Sequence, residues 1–395
     1  MAGPLEGIKV IELSRTLAGP FCSMQLADMG AEVIKVEQPG IGDETRSYTP
    51  PEINGESCYF MSLNKNKKSI TLNLKSEEGQ KIVKELVKDA DVLIENFRNG
   101  TMEKFGLGYD VLKEINPRLV YCAVSGFGRT GPMKDEPAYD LIMQGFGGLM
   151  SVTGEEGRAP VKVGFSIVDL ATGLYAALGV VLAIHAREKT GKGQCVESSL
   201  LETIVSLTNY LGQNVLATGK APGRLGSAHP SLVPYQAFET KDGHVIIGVP
   251  NDWLWKKMCD ALKLHDLKEH PKYAENINRV ANREELVGIL TEYTKTKETA
   301  EIIDVLKRAG VPSGPINNIA ELLEHPQVIH REMVQEVEHP TIGTLKMLGV
   351  PLKLSETPGA IRKAPPLLSE NTDEVLQALG YGSEDLKSFK EKGVI

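Results

Sequence analysis

The chain has 395 residues, 41% hydrophobic and 24% charged, the make-up of a globular protein with a large core and, by its length, two domains. Its 44 Lys and Arg against 52 Asp and Glu give a formal net charge of -8, which excludes a general nucleic-acid or anionic-membrane binder and leaves small molecules or protein as partners. The five cysteines, Cys22, Cys58, Cys122, Cys195 and Cys259, show no C-x-x-C spacing, so neither a disulfide framework nor a zinc site is indicated and a cytoplasmic location is expected.

The opening MAGPLEGIKVIELSR enters a strand pattern at once, without the basic and apolar regions of an export signal. From Gly7 to Phe127, β-rich runs alternate with helical ones: IKVIEL, PFCSMQLADMG, AEVIKVE, SITLNL, SEEGQKIVKELVKDA, DVLIEN and RLVYCAVSGF. This punctuation predicts a parallel sheet with helices on both faces. Ligands on such sheets bind at the carboxyl ends of strands, so Ser14 to Pro20, Glu37 to Arg46, Asn96 to Arg98 and Ser125 to Gly131 are the segments to watch. No G-x-G-x-x-G opens the first helix and no P-loop, H-E-x-x-H, G-x-S-x-G or EF-hand motif occurs, which leaves an enzyme without metal or nucleotide cofactor. Gly145 to Gly148 reads as a turn, either one that approaches a ligand closely or one that only connects elements.

The stretch Val163 to Arg187, VGFSIVDLATGLYAALGVVLAIHAR, reads as a long apolar helix with one carboxylate, Asp169, near its front. Its Asp and many small residues favour a helix buried in a soluble core over a membrane span. Ser166 and Asp169 fit the capping-box pattern S-x-x-D, while the positive end of the helix dipole would keep a first-turn carboxylate ionised and able to attack. Cap and nucleophile are both open at this point.

CVESSLLETIVSLTNYLGQNV then reads as a strand edge running into a second apolar helix, and the first domain closes near Gly219. GKAPGRLGSAHPSL has linker composition, with Arg224 and His229 as residues of a junction or simply solvated. YQAFETKDGHVIIGV predicts a hairpin, followed by helices over Asn251 to Leu262, Arg283 to Tyr293 and Thr299 to Ala309, with Trp253 and Trp255 as core. Antiparallel strands in REMVQEVEHPTIGTLKMLGVPLKLS, a Pro-rich crossing suited to wrapping a neighbour, and one amphipathic helix complete the chain.

Taken together, LEGIKVIELSRTLAGPFCSMQLADMGAEVIKVEQPGIGD, NKNKKSITLNLKSEEG, DVLIENFRNGTMEKFGLGYD, the stretch through Asp169 to TGKG, SLVPYQAFETKDG and GVPSGPINN resemble the class III coenzyme A transferases of the CaiB/BaiF type. The resemblance covers essentially the whole chain. It implies an α/β fold: a large Rossmann-like parallel-sheet, CoA-binding domain over 1–220, a smaller α+β domain over 225–320, and a return to the large domain over 325–395, in an interlocked-ring homodimer. Its implied activity is transfer of CoA from an acyl-CoA to a carboxylic acid, with CoA as substrate, no tightly bound cofactor and no metal. The carboxylate before Leu-Ala-Thr-Gly is the family's nucleophile, here Asp169, which forms a mixed anhydride and then an aspartyl-CoA thioester.

The family's CoA contacts fall on Arg15, Ala18, Leu72, Lys75, Asn96, Phe97, Arg98 and Lys104, with Tyr139 beside them. Leu17, Arg46, Tyr59, Asp140, Gly147, Gly148 and His229 fall around the acyl group. Arg15 and Arg46 are candidates to pair with a distal carboxylate, Gly145 to Gly148 to cover the site, and His229 to approach Asp169 from the partner chain. Leu17 stands where oxalyl-transferring members carry Gln, and VPNDW replaces their glycine run. SRTLAGP, AYDLIMQGFGGLMSVTG and RLGSAHPSLVPYQAF look more like succinyl-CoA:glutarate and related dicarboxylate transferases. Two other readings stand beside this one. An α-methylacyl-CoA racemase has His-Asp where this chain has Tyr139-Asp140, and a non-catalytic acyl-CoA-binding protein would not need Asp169.

Overall fold

The computed structural model describes residues 3–395 and divides into two compact units. The larger comprises Met1–Leu149, Val163–Gly219 and Pro326–Ile395, the smaller Met150–Lys162 and Lys220–His325. Residues 150–162, read with the large domain in the sequence, group with the smaller unit.

The larger unit is built on six strands, β1 (Lys9–Glu12), β2 (Glu32–Glu37), β3 (Lys67–Thr71), β4 (Val92–Glu95), β5 (Val120–Ser125) and β6 (Cys195–Ser199). All their pairings are parallel, in the order β3-β2-β1-β4-β5-β6, that of a Rossmann sheet. Val10 pairs with Val33 on one side and Val92 on the other, so the strand order reverses at β1 and a crevice opens beyond the carboxyl ends of β1 and β4. One face of the sheet is covered by α1 (Ala18–Asp28), the other by α2 (Glu77–Lys88), whose first turn is capped by Ser76 accepting from the Gly79 amide and whose Ile82, Val83, Leu86 and Val87 enter the core.

Three further helices follow: α3 (Asp140–Phe146), α4 (Ile167–Thr190) and α5 (Leu200–Leu207). α4 packs on α1 through Gly173, where a Cβ would lie 2.7 Å from the Ala18 carbonyl oxygen, so only glycine lets the two backbones meet this closely. Contrary to the expectation of a helix buried all round, α4 buries one face, with Ala176, Ala177, Val180 and Ala183 in the core. Leu174, Tyr175, Leu178, Val181 and Leu182 on the other face are 41–57% exposed. α4 is long and apolar enough to cross a membrane, yet it ends in the buried Arg187, which is paired with Asp91.

The Pro-rich crossing is held by its own chain. The Ala360 amide donates to Asp28 O at 3.0 Å, Lys363 N to Asn66 Oδ1 at 3.0 Å, and Asn371 N to Ser69 O at 2.9 Å. Ala364 to Leu368 therefore runs beside β3, the outer strand of the sheet, and covers an edge that would otherwise stay unpaired. Two helices, Thr372–Ala378 and Ser383–Glu391, replace the single one read at the end of the chain.

The smaller unit holds a three-stranded antiparallel sheet of Tyr235–Glu239, His244–Gly248 and Ser313–Pro315, and the helices Asp252–Ala261, Arg283–Thr294 and Thr299–Arg308 around the buried Trp255. Trp253 departs from its expected core position: it is 62% exposed, with Lys257 Nζ 3.9 Å above its ring.

Candidate active site

At the switch point the side chain of Asn96, just after β4, clamps the loop after β1: its Oδ1 accepts from Arg15 N at 3.0 Å and its Nδ2 donates to Arg15 O at 2.7 Å. Two clefts of about 170 and about 670 Å³ open here, and Arg15 and Phe97 line both, the guanidinium 5.5 Å from the ring centre. The first cleft is also lined by Ala18, Leu17, Asn96, Arg98, Tyr139 and Asp169, the second by Leu72 and Lys75. Most of the residues named for CoA thus converge. Leu72 is 1% exposed, packed in the apolar core where it borders the second cleft, and its amide donates to Glu37 O at 2.9 Å. Lys104 is exposed at the end of a short helix, Thr101–Lys104, outside both linings.

Asp169 sits in the first turn of α4, part-buried. The capping box does not form, because Ser166 makes no side-chain cap. Asp140 takes that task instead, its Oδ1 accepting from Val168 N at 2.8 Å and from Asp169 N at 3.2 Å. Gln144 holds Asp140 in turn, donating from Nε2 to Oδ2, and its own Oε1 accepts from Val163 N at 2.8 Å. The orphan amides of α4 are therefore satisfied by a carboxylate from α3, which leaves the Asp169 side chain to the cleft.

This exchange also reverses the electrostatic expectation for Asp169. Burial and then the charge of Asp140 push its carboxyl up to about 7. The amides that would have supplied the dipole's positive end are already given to Asp140, so a neighbouring negative charge stands in their place. Tyr59 lies beside it: burial and the charge of Asp169 raise its phenol to about 12, so it stays protonated as a hydrogen-bond donor. The Tyr59 ring meets Tyr48 edge-on at 5.3 Å. Tyr139, 63% exposed, lines the cleft.

Two acyl-site assignments change. Arg46 is committed inside the fold, donating to both Glu37 oxygens at 2.8 Å with its guanidinium 3.6 Å from the Phe60 ring centre, and so cannot meet a distal carboxylate. The glycine run is not a free loop: Gly145 lies within α3, a Cβ on Gly147 would stand 2.4 Å from Ile204 of α5, and Gly148 takes φ +82°. Close helix packing is what needs glycine there. His229 belongs to the smaller unit, where its Nδ1 accepts from Ser231 N at 3.0 Å, its ring meets Tyr235 at 5.5 Å, and burial and then the Arg283 charge lower its pKa.

Sequence reading missed a buried ionic cluster under the switch point. Glu12 and Lys35 are 0% exposed, Lys67 2% and Asp43 3%. Their signal was present as charged residues inside the otherwise apolar strands VIE, VIKVE and KKSI, where an unpaired charge would be prohibitively costly. Among the described residues, no group of three or more His, Cys, Asp or Glu is placed to hold a metal ion.

Comparison with known proteins agrees with this geometry. Residues 5–372 match the family model described as CoA-transferase family III. The chain is 42% identical to the human succinyl-CoA:glutarate CoA-transferase over 99% of its own length and 90% of that protein's. It is 40% identical to the succinyl-CoA:mesaconate CoA-transferase of Haloarcula marismortui, covering 96% of this chain and 97% of the relative. A crystal structure of a CaiB/BaiF family protein from Brucella suis superposes with a TM-score of 0.85 at 39% identity, over 96% of this chain and 100% of the other. The chain belongs to the class III CoA-transferases, the CaiB/BaiF family.

Proposed function

We propose that this CoA-transferase takes CoA from succinyl-CoA or a similar donor and passes it to a carboxylic acid, most suitably a dicarboxylate, through Asp169. The observation that carries the reading is the position of Asp169 on a cleft at the Rossmann switch point whose wall also holds Arg15, Asn96 and Arg98. The ionised Asp169 attacks the thioester carbonyl, giving an acyl-aspartyl anhydride and CoA thiolate. The thiolate attacks the aspartyl carbonyl and expels the donor carboxylate, leaving aspartyl-CoA. The acceptor carboxylate then attacks aspartyl-CoA to form a second anhydride, and the returning thiolate attacks the acceptor's acyl carbon, releasing the new thioester and Asp169. Each step exchanges one activated acyl group for another and consumes no water. Arg15, Arg98 and Lys75 serve the CoA phosphates, while Phe97 lines the path of its organic part. CoA enters and leaves as substrate, with no tightly bound cofactor.

The exposed apolar stripe of α4 supports coverage by a second copy of the chain, and the family resemblance suggests the interlocked form, with His229 as a candidate contribution from the partner's smaller unit. Sedimentation at twice the chain mass would support it.

The racemase reading is disfavoured because Tyr139 replaces its histidine and Asp140 is occupied in capping α4. One assay separates the readings: succinyl-CoA is supplied with glutarate or another carboxylate, and CoA exchange is followed beside deuterium uptake at the acyl α-carbon. Acceptor-dependent exchange without deuterium uptake is expected. Deuterium uptake in the absence of an acceptor would favour racemisation, and neither event would favour a binding protein.

A further inference from the structure

Four consecutive backbone polar groups around Arg15 are each held by a side chain. Ser14 O accepts from Lys35 Nζ at 2.9 Å. Arg15 N and O are both bonded to Asn96. Thr16 N donates to the two oxygens of Asp43, each at 3.2 Å. Thr16 has φ +69°, an uncommon conformation for a β-branched residue that persists only where its surroundings hold it.

The holders are fixed in turn. Lys35 bridges Glu12 and Asp43, with 2.9 Å to each. Asp43 further accepts from Thr45 N at 3.0 Å and Thr45 Oγ1 at 2.8 Å, and its own amide donates to Glu37 Oε2 at 2.9 Å. Glu12 also meets Lys67 at 2.9 Å, and Lys67 reaches the Pro20 carbonyl in the first turn of α1 at 2.9 Å. A buried ionic cluster thus brackets one residue whose side chain stands half-exposed where the two clefts meet. Replacing such a cluster by an apolar core of the same volume is often neutral or stabilising, which directs attention to what these charges hold in place.

We infer that Lys35 and Asp43 are positioning residues for acyl-CoA binding: they lock the 14–16 backbone, including the left-handed turn at Thr16, and so hold Arg15, whose guanidinium rests 3.4 Å from Glu44 at the junction of the two clefts, within reach of the CoA phosphates. The inference rests on the reading of these clefts as the CoA site. It assigns the pair no part in bond making, and places its effect in KM more than in kcat.

The test is a double-mutant cycle on the full chain, reading KM for succinyl-CoA, kcat and thermal midpoint for Asp43→Asn, Arg15→Ala and the pair. Asp43→Asn keeps one oxygen but turns an amide donor toward Thr16 N and Lys35 and removes the charge that pairs with Lys35, so the restraint weakens and KM should rise by up to about ten-fold. Because Asp43 acts through Arg15, it should add little to KM once Arg15→Ala is present. Additive effects on KM, or a lowered thermal midpoint with KM unchanged, would overturn the inference alone. Arg15→Ala without effect on KM would remove both the inference and the cleft reading. If Asp43→Asn does not fold, Thr45→Val removes one bond that orients Asp43 and enters the same cycle, with the same non-additivity expected.

Discussion

Replacing Asp140 by Asn removes one of the two causes that hold the Asp169 carboxyl at about 7, yet keeps an oxygen for the amides of Val168 and Asp169. The ordinary value is 3.8 and burial is the larger cause, so the variant's Asp169 should titrate below the wild type's value of about 7 yet stay above the ordinary one. Attack requires the ionised form, so wild-type kcat/KM should fall about ten-fold per pH unit below 7. At about pH 6, roughly a tenth of wild-type Asp169 is ionised, and a larger fraction in the variant. The assay is kcat/KM for succinyl-CoA between about pH 5 and about pH 8, each profile normalised to its own plateau because Gln144 also loses an acceptor. The acid limb should move down by a unit or less, so that the variant retains several-fold more relative activity at about pH 6. An acid limb that stays in place or moves upward would refute the coupling.

Asp169→Asn should stabilise the fold. The folded carboxyl titrates near 7 and the unfolded one near 3.8, so between these values the folded state holds more protons and wild-type stability falls as pH rises. The variant's thermal midpoint should exceed the wild type's by a margin that opens between about pH 4 and about pH 7 and is flat above; a constant margin would contradict the shift. Arg46→Ala should cost about 3–5 kcal/mol in denaturant unfolding by leaving the buried Glu37 without its guanidinium. Unchanged stability with altered acyl-group preference would instead return Arg46 to the acyl site. Gly147→Ala should cost about 1–3 kcal/mol through its clash with Ile204 and be partly relieved by Ile204→Ala. Equal stability in the single variant would mean that α3 and α5 separate freely.

The strands of the large sheet were legible because buried parallel strands advertise themselves as short Val- and Ile-rich runs, and Lys9–Glu12, Glu32–Glu37 and Val92–Glu95 all lie within the segments so read. Their order follows from pairings hundreds of atoms apart, which local pattern does not carry. At Asp169 the S-x-x-D spacing was present, but a carboxylate 29 positions earlier took the cap, and such tertiary competition leaves no local mark. Arg46 looked available because a loop arginine after a strand is usually solvent-facing, whereas Glu37 and Phe60 enclose this one. The Pro-rich crossing had the right composition for an arm, yet composition could not say whose edge it covers, and here it lies on β3. Trp253 and Trp255, two apart on one helix, point to different faces, and only Trp255 reaches the core.

The central claim is that Asp169 itself carries the acyl and CoA groups. The most direct measurement is intact-protein and peptide mass spectrometry after mixing the enzyme with succinyl-CoA and a nucleophile trap, beside Asp169→Ala and with a panel of carboxylic acid acceptors. An adduct is expected on the wild type alone, mapped to the peptide holding Asp169 and discharged by the true acceptor. Trapped adduct on another residue, or CoA exchange at the wild-type rate in Asp169→Ala, would contradict it.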